Sequence, residues 1–140
     1  MNSFFYALLG AFFWGLAPVL GKLGLVKVDP TLALAFRSFL ISAVLLVWLI
    51  LSGSYLDFTQ VPLKSWAFIA GEGLLASLLG HLAYYYALQG GQVTRVAPVL
   101  ASYPMITFFL AILILGEKFS WTKMAGVGLI LGGVMLVSAK

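Results

Sequence analysis

The stretch Trp66–Gly91, "WAFIAGEGLLASLLGHLAYYYALQGG", decides the fold class. Apart from Glu72, His81 and Gln89 it lacks strong polarity, and it exceeds the about 20 mostly apolar residues that carry a helix across a bilayer core. Read as a transmembrane helix, it places a carboxylate and an imidazole inside the span. Glu72 sits about five residues before the middle and His81 about four after it, so at about 1.5 Å per residue both lie within roughly 8 Å of the midplane. An acidic or basic side chain at a helix centre costs about 2.5–3.5 kcal/mol, so ionisable residues there usually face the bundle or water and mark a pathway.

The rest of the chain agrees with a membrane protein. Its 140 residues are 63% hydrophobic and 9% charged, against roughly 25% charged in an ordinary soluble domain. The mean hydropathy is +1.11. That length holds at most about six spans with short loops, and no separate soluble domain fits beside them. The net charge of +4 comes from eight scattered basic residues, which suits anionic lipid headgroups and gives no basic patch for nucleic acid. Without cysteine there are no disulfides, no thiolate metal sites and no Cys nucleophile. The apolar run at the N-terminus has no Lys or Arg before it and continues too far for a signal peptide.

Charges and turn residues divide the sequence into five apolar segments, approximately 3–21, 31–52, 66–88, 95–115 and 121–139. Pro30 suits a helix start, Gly90 with Gly91 a helix stop, and Trp121 and Lys140 suit interfacial anchors for the last segment. No internal repeat and no low-complexity tract is visible. The short connections make sequence neighbours antiparallel, and five spans put the two termini on opposite sides. Lys64, Lys118 and Lys123 then lie with the N-terminus, while Lys22, Lys27, Arg37, Arg95 and Lys140 lie with the C-terminus. Five against three is a weak bias, compatible with insertion both ways round.

Within the spans, a handful of residues stand out as candidates for function. Nine residues at about 100° each separate Glu72 from His81 by half a turn, so an α-helix does not pair them. Gly73, Ser77, Tyr84 and Tyr85 lie at helical spacings from His81 and form a small-to-polar stripe. That stripe either lines a cavity or hydrogen-bonds within the packed helices. Glu72 is either a proton carrier or a protonated carboxyl bonded to a neighbouring helix. Trp14 and Pro18 share a face of the first span, and Pro98 and Pro104 interrupt the fourth, where a missing backbone donor bends or breaks the helix. Broken helices tend to surround substrate in transporters. Tyr103 and Thr107 offer hydrogen bonds beside Pro104, or simply pack. Gly128 and Gly132 make a small-xxx-small step, with Gly126 nearby, for close helix packing. Arg37 is early enough in its span to snorkel to the headgroups or, less simply, to bind an anion. Glu117, beside Lys118 at the membrane edge, is placed to cap or pair. One histidine, no metal-ligand cluster, no carboxylate pair and no phosphate loop give enzymatic or cofactor chemistry no support.

Two long parts of the sequence resemble one EamA-type unit of the drug/metabolite transporter superfamily. "AFFWGLAPVLGKLGLVKVDPTLALAFRSFLISAVLL" is similar to the opening of that unit, with Trp14-Gly15, Lys22, Pro30 and Arg37. "YYYALQGGQVTRVAPVLASYPMITFFLAILILGEKFSWTKMAGVGLILGG" is similar to its close, with Tyr86–Leu88, Pro104, Gly116-Glu117, Gly126 and Gly132. The resemblance implies a single transmembrane domain over 1–140, a bundle of five helices forming half of an inverted-repeat, ten-helix transporter. It implies alternating-access exchange of small metabolites or drug-like solutes across a bacterial or archaeal cytoplasmic membrane. One unit supplies half of the central cavity, so the expected completion is an antiparallel homodimer or a paired five-helix partner. Trp14, Pro18, Ser77, His81, Tyr84, Tyr85, Tyr103 and Pro104 are then expected against solute. Glu72 or His81 is expected to carry a coupled proton, and Arg37 and Glu117 to have structural or gating roles. Two other readings are a small multidrug-efflux-like exporter, which would typically have a carboxylate in its first span where this chain has none, and a non-transporting membrane assembly subunit.

Overall fold

Apolar side chains leave the backbone no partner but itself in lipid, and the chain answers with helices throughout. The computed structural model describes residues 2–139, and Lys140, expected as an anchor, lies outside them. Among the described residues there is no strand, and five helical segments are long and apolar enough to cross a membrane: Ser3–Gly24, Pro30–Ser52, Leu63–Gly90, Val93–Leu115 and Trp121–Ser138. The expected segments are all present, with ends shifted by up to three residues. The chain is an all-α, multi-pass integral membrane protein, and it forms two compact units, Met1–Gly90 and Gly91–Lys140.

The first unit begins with α1 (Ser3–Gly24), capped by the Asn2 side chain accepting from the Phe4 amide at 3.2 Å. Pro30 opens α2 (Pro30–Ser52), where Asp29 Oδ1 accepts from the Thr31 and Leu32 amides at 2.8 and 3.2 Å. The cap and the proline together fix where this helix starts, because both supply what the first turn lacks. Gly53 ends α2 in the left-handed region at φ +72°, and a 3-10 helix, Ser54–Gln60, leads to the third span.

That third span is not one α-helix. It runs as α3 (Leu63–Glu72), a π-helical stretch Gly73–Gly80, and α4 (His81–Gly90). A π-helix closes i→i+5 bonds and winds about 4.4 residues per turn, so the half-turn offset between Glu72 and His81 expected for an α-helix does not carry across it. Only the final part packs firmly on other elements: α4 lies against both α1 and α2, and Leu25, Leu34 and Leu88 are buried there. A Cβ at Gly21 would meet Leu88 Cδ1 at 3.4 Å, so the glycine gives Leu88 room against α1.

In the second unit the fourth span divides into α5 (Val93–Leu100) and α6 (Tyr103–Leu115), and α7 (Trp121–Ser138) packs against both. Pro104 falls in the first turn of α6, the position that tolerates a missing amide. The gap is held by Ser102, whose Oγ donates to the Val99 carbonyl at 2.7 Å. Gly116, at φ +67°, stops α6 and turns the chain so that the Glu117 amide reaches the Ala111 carbonyl at 3.2 Å.

Candidate solute site

The expected site residues fall into two groups, one in each unit. In the first unit, α4 brings His81, Tyr84 and Tyr85 together: the His81 and Tyr84 rings meet edge-on at 6.4 Å, and the two tyrosine rings lie 6.1 Å apart. The Arg37 guanidinium of α2 sits 6.0 Å from the centre of the Tyr85 ring, a cation–π geometry. Arg37 therefore rests on an aromatic face of the neighbouring helix. The Tyr84 hydroxyl is buried and makes no hydrogen bond among the described residues. A buried phenol without a partner is costly, and it is a ready donor for a solute beside it.

His81 owes its geometry to the π-helical stretch. Its Nδ1 lies 2.9 Å from the carbonyl of Ala76, five residues earlier, which also receives the His81 amide. A carbonyl only accepts, so Nδ1 carries a proton and donates it to this bond, and Nε2 points away from it. Ser77, expected in the same stripe, is exposed and makes no side-chain hydrogen bond among the described residues. Glu72 is exposed, with neither a hydrogen bond nor an ion pair among the described residues. On α1, Trp14 is 63% exposed while Pro18, four residues on, is buried, so the two have different surroundings despite sharing a face.

In the second unit, Tyr103, Pro104, Thr107 and Phe108 of α6 face Gly126, Val127 and Ile130 of α7 across an open, mostly apolar groove of about 560 Å³. Thr107 Oγ donates back to the Tyr103 carbonyl at 3.4 Å, beside the break. Glu117, Lys118 and Lys123 border the groove. Glu117 pairs with Lys123 at 3.4 Å, on the far side of the turn, and not with its neighbour Lys118. Phe108 and Lys123 were not anticipated, although Phe108 stands four residues after Pro104 and thus on its face. A Cβ added at Gly126, Gly128 or Gly132 meets nothing within 4 Å, so among the described residues no helix packs closely against these glycines.

The chain has counterparts among known proteins. The profile of the EamA-like transporter family matches residues 1–139. The "Uncharacterized transporter in cobO 3'region" of Sinorhizobium sp is 33% identical over 135 residues, covering 96% of this chain and 94% of that protein. An "Uncharacterized transporter" of Archaeoglobus fulgidus is 28% identical over 95% of this chain but only 46% of its own length. The "Probable 4-amino-4-deoxy-L-arabinose-phosphoundecaprenol flippase subunit ArnF" of Erwinia tasmaniensis is 35% identical over 81 residues, 56% of this chain and 62% of that protein. No solved structure matches.

Proposed function

Since the chain belongs to the EamA-like transporter family, we propose that this membrane transporter is one transmembrane domain acting as a subunit of a secondary transporter. It moves small metabolites or drug-like solutes across the cytoplasmic membrane by alternating access. The observation that carries the reading is the broken fourth span. Pro104 has no amide to give the carbonyl of Leu100, so the break between α5 and α6 leaves backbone polarity within membrane depth, which is tolerated where it lines a cavity. The groove beside that break takes the apolar part of a solute, with Tyr103 and Thr107 as hydrogen-bonding groups. The cluster of His81, Tyr84, Tyr85 and Arg37 provides a second lining surface.

The solute pathway is completed by a second five-helix unit, in the simplest case an inverted copy of the same chain. The weak charge bias of the loops supports insertion in both orientations. His81 is the proton carrier: its Nδ1 is engaged by Ala76, and Nε2 is free to take and release a proton as the cavity alternates. The relation to a flippase subunit supports including an amphipathic sugar-phosphate lipid among the solutes tried.

The test is uptake by proteoliposomes under an imposed pH gradient, with a panel of metabolites, drug-like cations and one lipid-linked sugar phosphate. A solute moved by the wild-type chain is expected to lose gradient-driven flux by roughly tenfold or more with His81→Ala, at unchanged reconstitution. Flux that His81→Ala leaves intact overturns the proton-carrier role. A properly folded chain that moves nothing in a broad panel, in either orientation, favours an assembly subunit.

A further inference from the structure

Two opposite charges within membrane depth lack a charged partner among the described residues. Of the four acidic residues, Asp29 caps α2, Asp57 lies in the 3-10 connection, and Glu117 pairs with Lys123; Glu72 makes no polar contact among the described residues. Of the basic residues, Lys22 is held by carbonyls at the end of α4, and Arg37 lies over the Tyr85 ring with no carboxylate beside it among the described residues. An unpaired ion this far from water is unfavourable, and a paired one is the usual resolution.

The depths of the two residues are related. Arg37 stands four residues before the middle of Pro30–Ser52, about 6 Å from the midplane on the side where the second span begins. Glu72 stands between four and five residues before the middle of Leu63–Gly90, and because those residues are π-helical and rise less per residue than an α-helix it lies about 5–6 Å from the midplane on the side where the third span begins. The second span ends where the third begins, so the two depths are nearly equal and opposite. A twofold axis lying in the membrane plane exchanges those depths. It brings a carboxylate to the level of a guanidinium twice over, once in each half of the pair.

We infer that Glu72 of one copy forms an ion pair with Arg37 of the partner subunit in an inverted dimer. The inference rests on the inverted pairing proposed above and adds what holds it in register. The surroundings of Glu72 suit it: no residue of α3 is buried, and Phe68 and Ile69 on the same helix are exposed. A parallel pair would leave both charges unmatched, because like depths then meet. Arginine is suited to the role, since its planar fork meets a carboxylate with two hydrogen bonds and is less strongly hydrated than a lysine ammonium.

The chain has no cysteine, so cross-linking is clean. Two differently tagged copies, one Glu72→Cys and one Arg37→Cys, would be expressed together and treated in membranes with a short thiol-to-thiol cross-linker. A dimer carrying both tags is expected, with each variant alone giving background, because self pairs lie about 10 Å or more apart in depth alone. In parallel, Glu72→Arg and Arg37→Glu singly should lower the dimer yield by roughly tenfold or more, and the two together in one chain should recover it. Loss of a merely structural residue is not rescued by such a swap. Labelling a single cysteine at Ser138 from each side of the membrane separates the failures. Labelling from both sides without the mixed cross-link and without rescue overturns the ion pair and leaves inverted pairing standing. Labelling from one side only, or self pairs predominating, overturns both.

Discussion

The two ends of the third span carry similarly apolar sequence and have opposite surroundings. In α4, Leu88 is 0% exposed, Lys22 Nζ donates to the Leu88 and Gln89 carbonyls at 2.6 and 3.1 Å, and Gln89 Nε2 donates back to the Leu25 and Val28 carbonyls at 3.3 and 2.9 Å. The Thr31 and Tyr86 hydroxyls add a contact at 3.4 Å. In α3, by contrast, nothing is buried; the Trp66 ring stacks on Phe58 of the preceding connection at 5.0 Å, and Glu72 is bare. One end is fastened to its own chain, and the other presents a charged, unpacked face.

The largest expected effect tests the fastening itself. Leu88→Ala removes a fully buried side chain between α1 and α4, and about 2–4 kcal/mol of stability should be lost in reversible unfolding in mixed micelles. Leu63→Ala, at a residue 84% exposed in α3, should change stability by less than about 0.5 kcal/mol. Equal effects from the two leucines would end the contrast between the halves. The next effect is electrostatic. Lys22→Met keeps most of the apolar stem and deletes the donor, leaving the last carbonyls of α4 without their charge-assisted bonds. A loss of about 1–3 kcal/mol is expected by the same assay. Lys22→Arg should retain part of it, since a cation near a helix C-terminus is favourable whatever its shape.

Much of this fold is legible in sequence because its signals are local. Asp29-Pro30 starts a helix by cap and by fixed φ, Gly90-Gly91 stops one, and Pro104 breaks one, each within a turn of the residue that does it. The π-helical stretch is different. "GLLASLLG" satisfies an α-helix as well as a π-helix, and its register is visible only in which carbonyl His81 finds. The Lys22–Leu88 contact joins residues 66 apart in sequence, which no spacing rule reaches. For Glu117, the neighbouring Lys118 is the obvious partner on paper. The left-handed turn at Gly116 redirects the chain, and Lys123 takes its place. Of the solute-site residues, the aromatic neighbours of His81 are readable from helical spacing within α4, whereas Arg37 over Tyr85 depends on how α2 and α4 pack.

The smallest expected effect sets a second lysine beside the first. Lys123 and Glu117 are 61% and 52% exposed, and their 3.4 Å contact joins two flexible side chains at the turn before α7. Lys22 instead donates, partly buried, to carbonyls that no other backbone amide of its helix can reach. An exposed pair gains little Coulomb energy and loses side-chain entropy, so Lys123→Ala should shift stability by less than about 0.5 kcal/mol. If Lys123→Ala cost as much as Lys22→Met in the same micelles, the Glu117–Lys123 contact would be shielded from water in the folded protein. Glu117 would then act as a fastening of the second unit equivalent to Lys22 in the first, and the division between a fastened end and an open one would extend to both units.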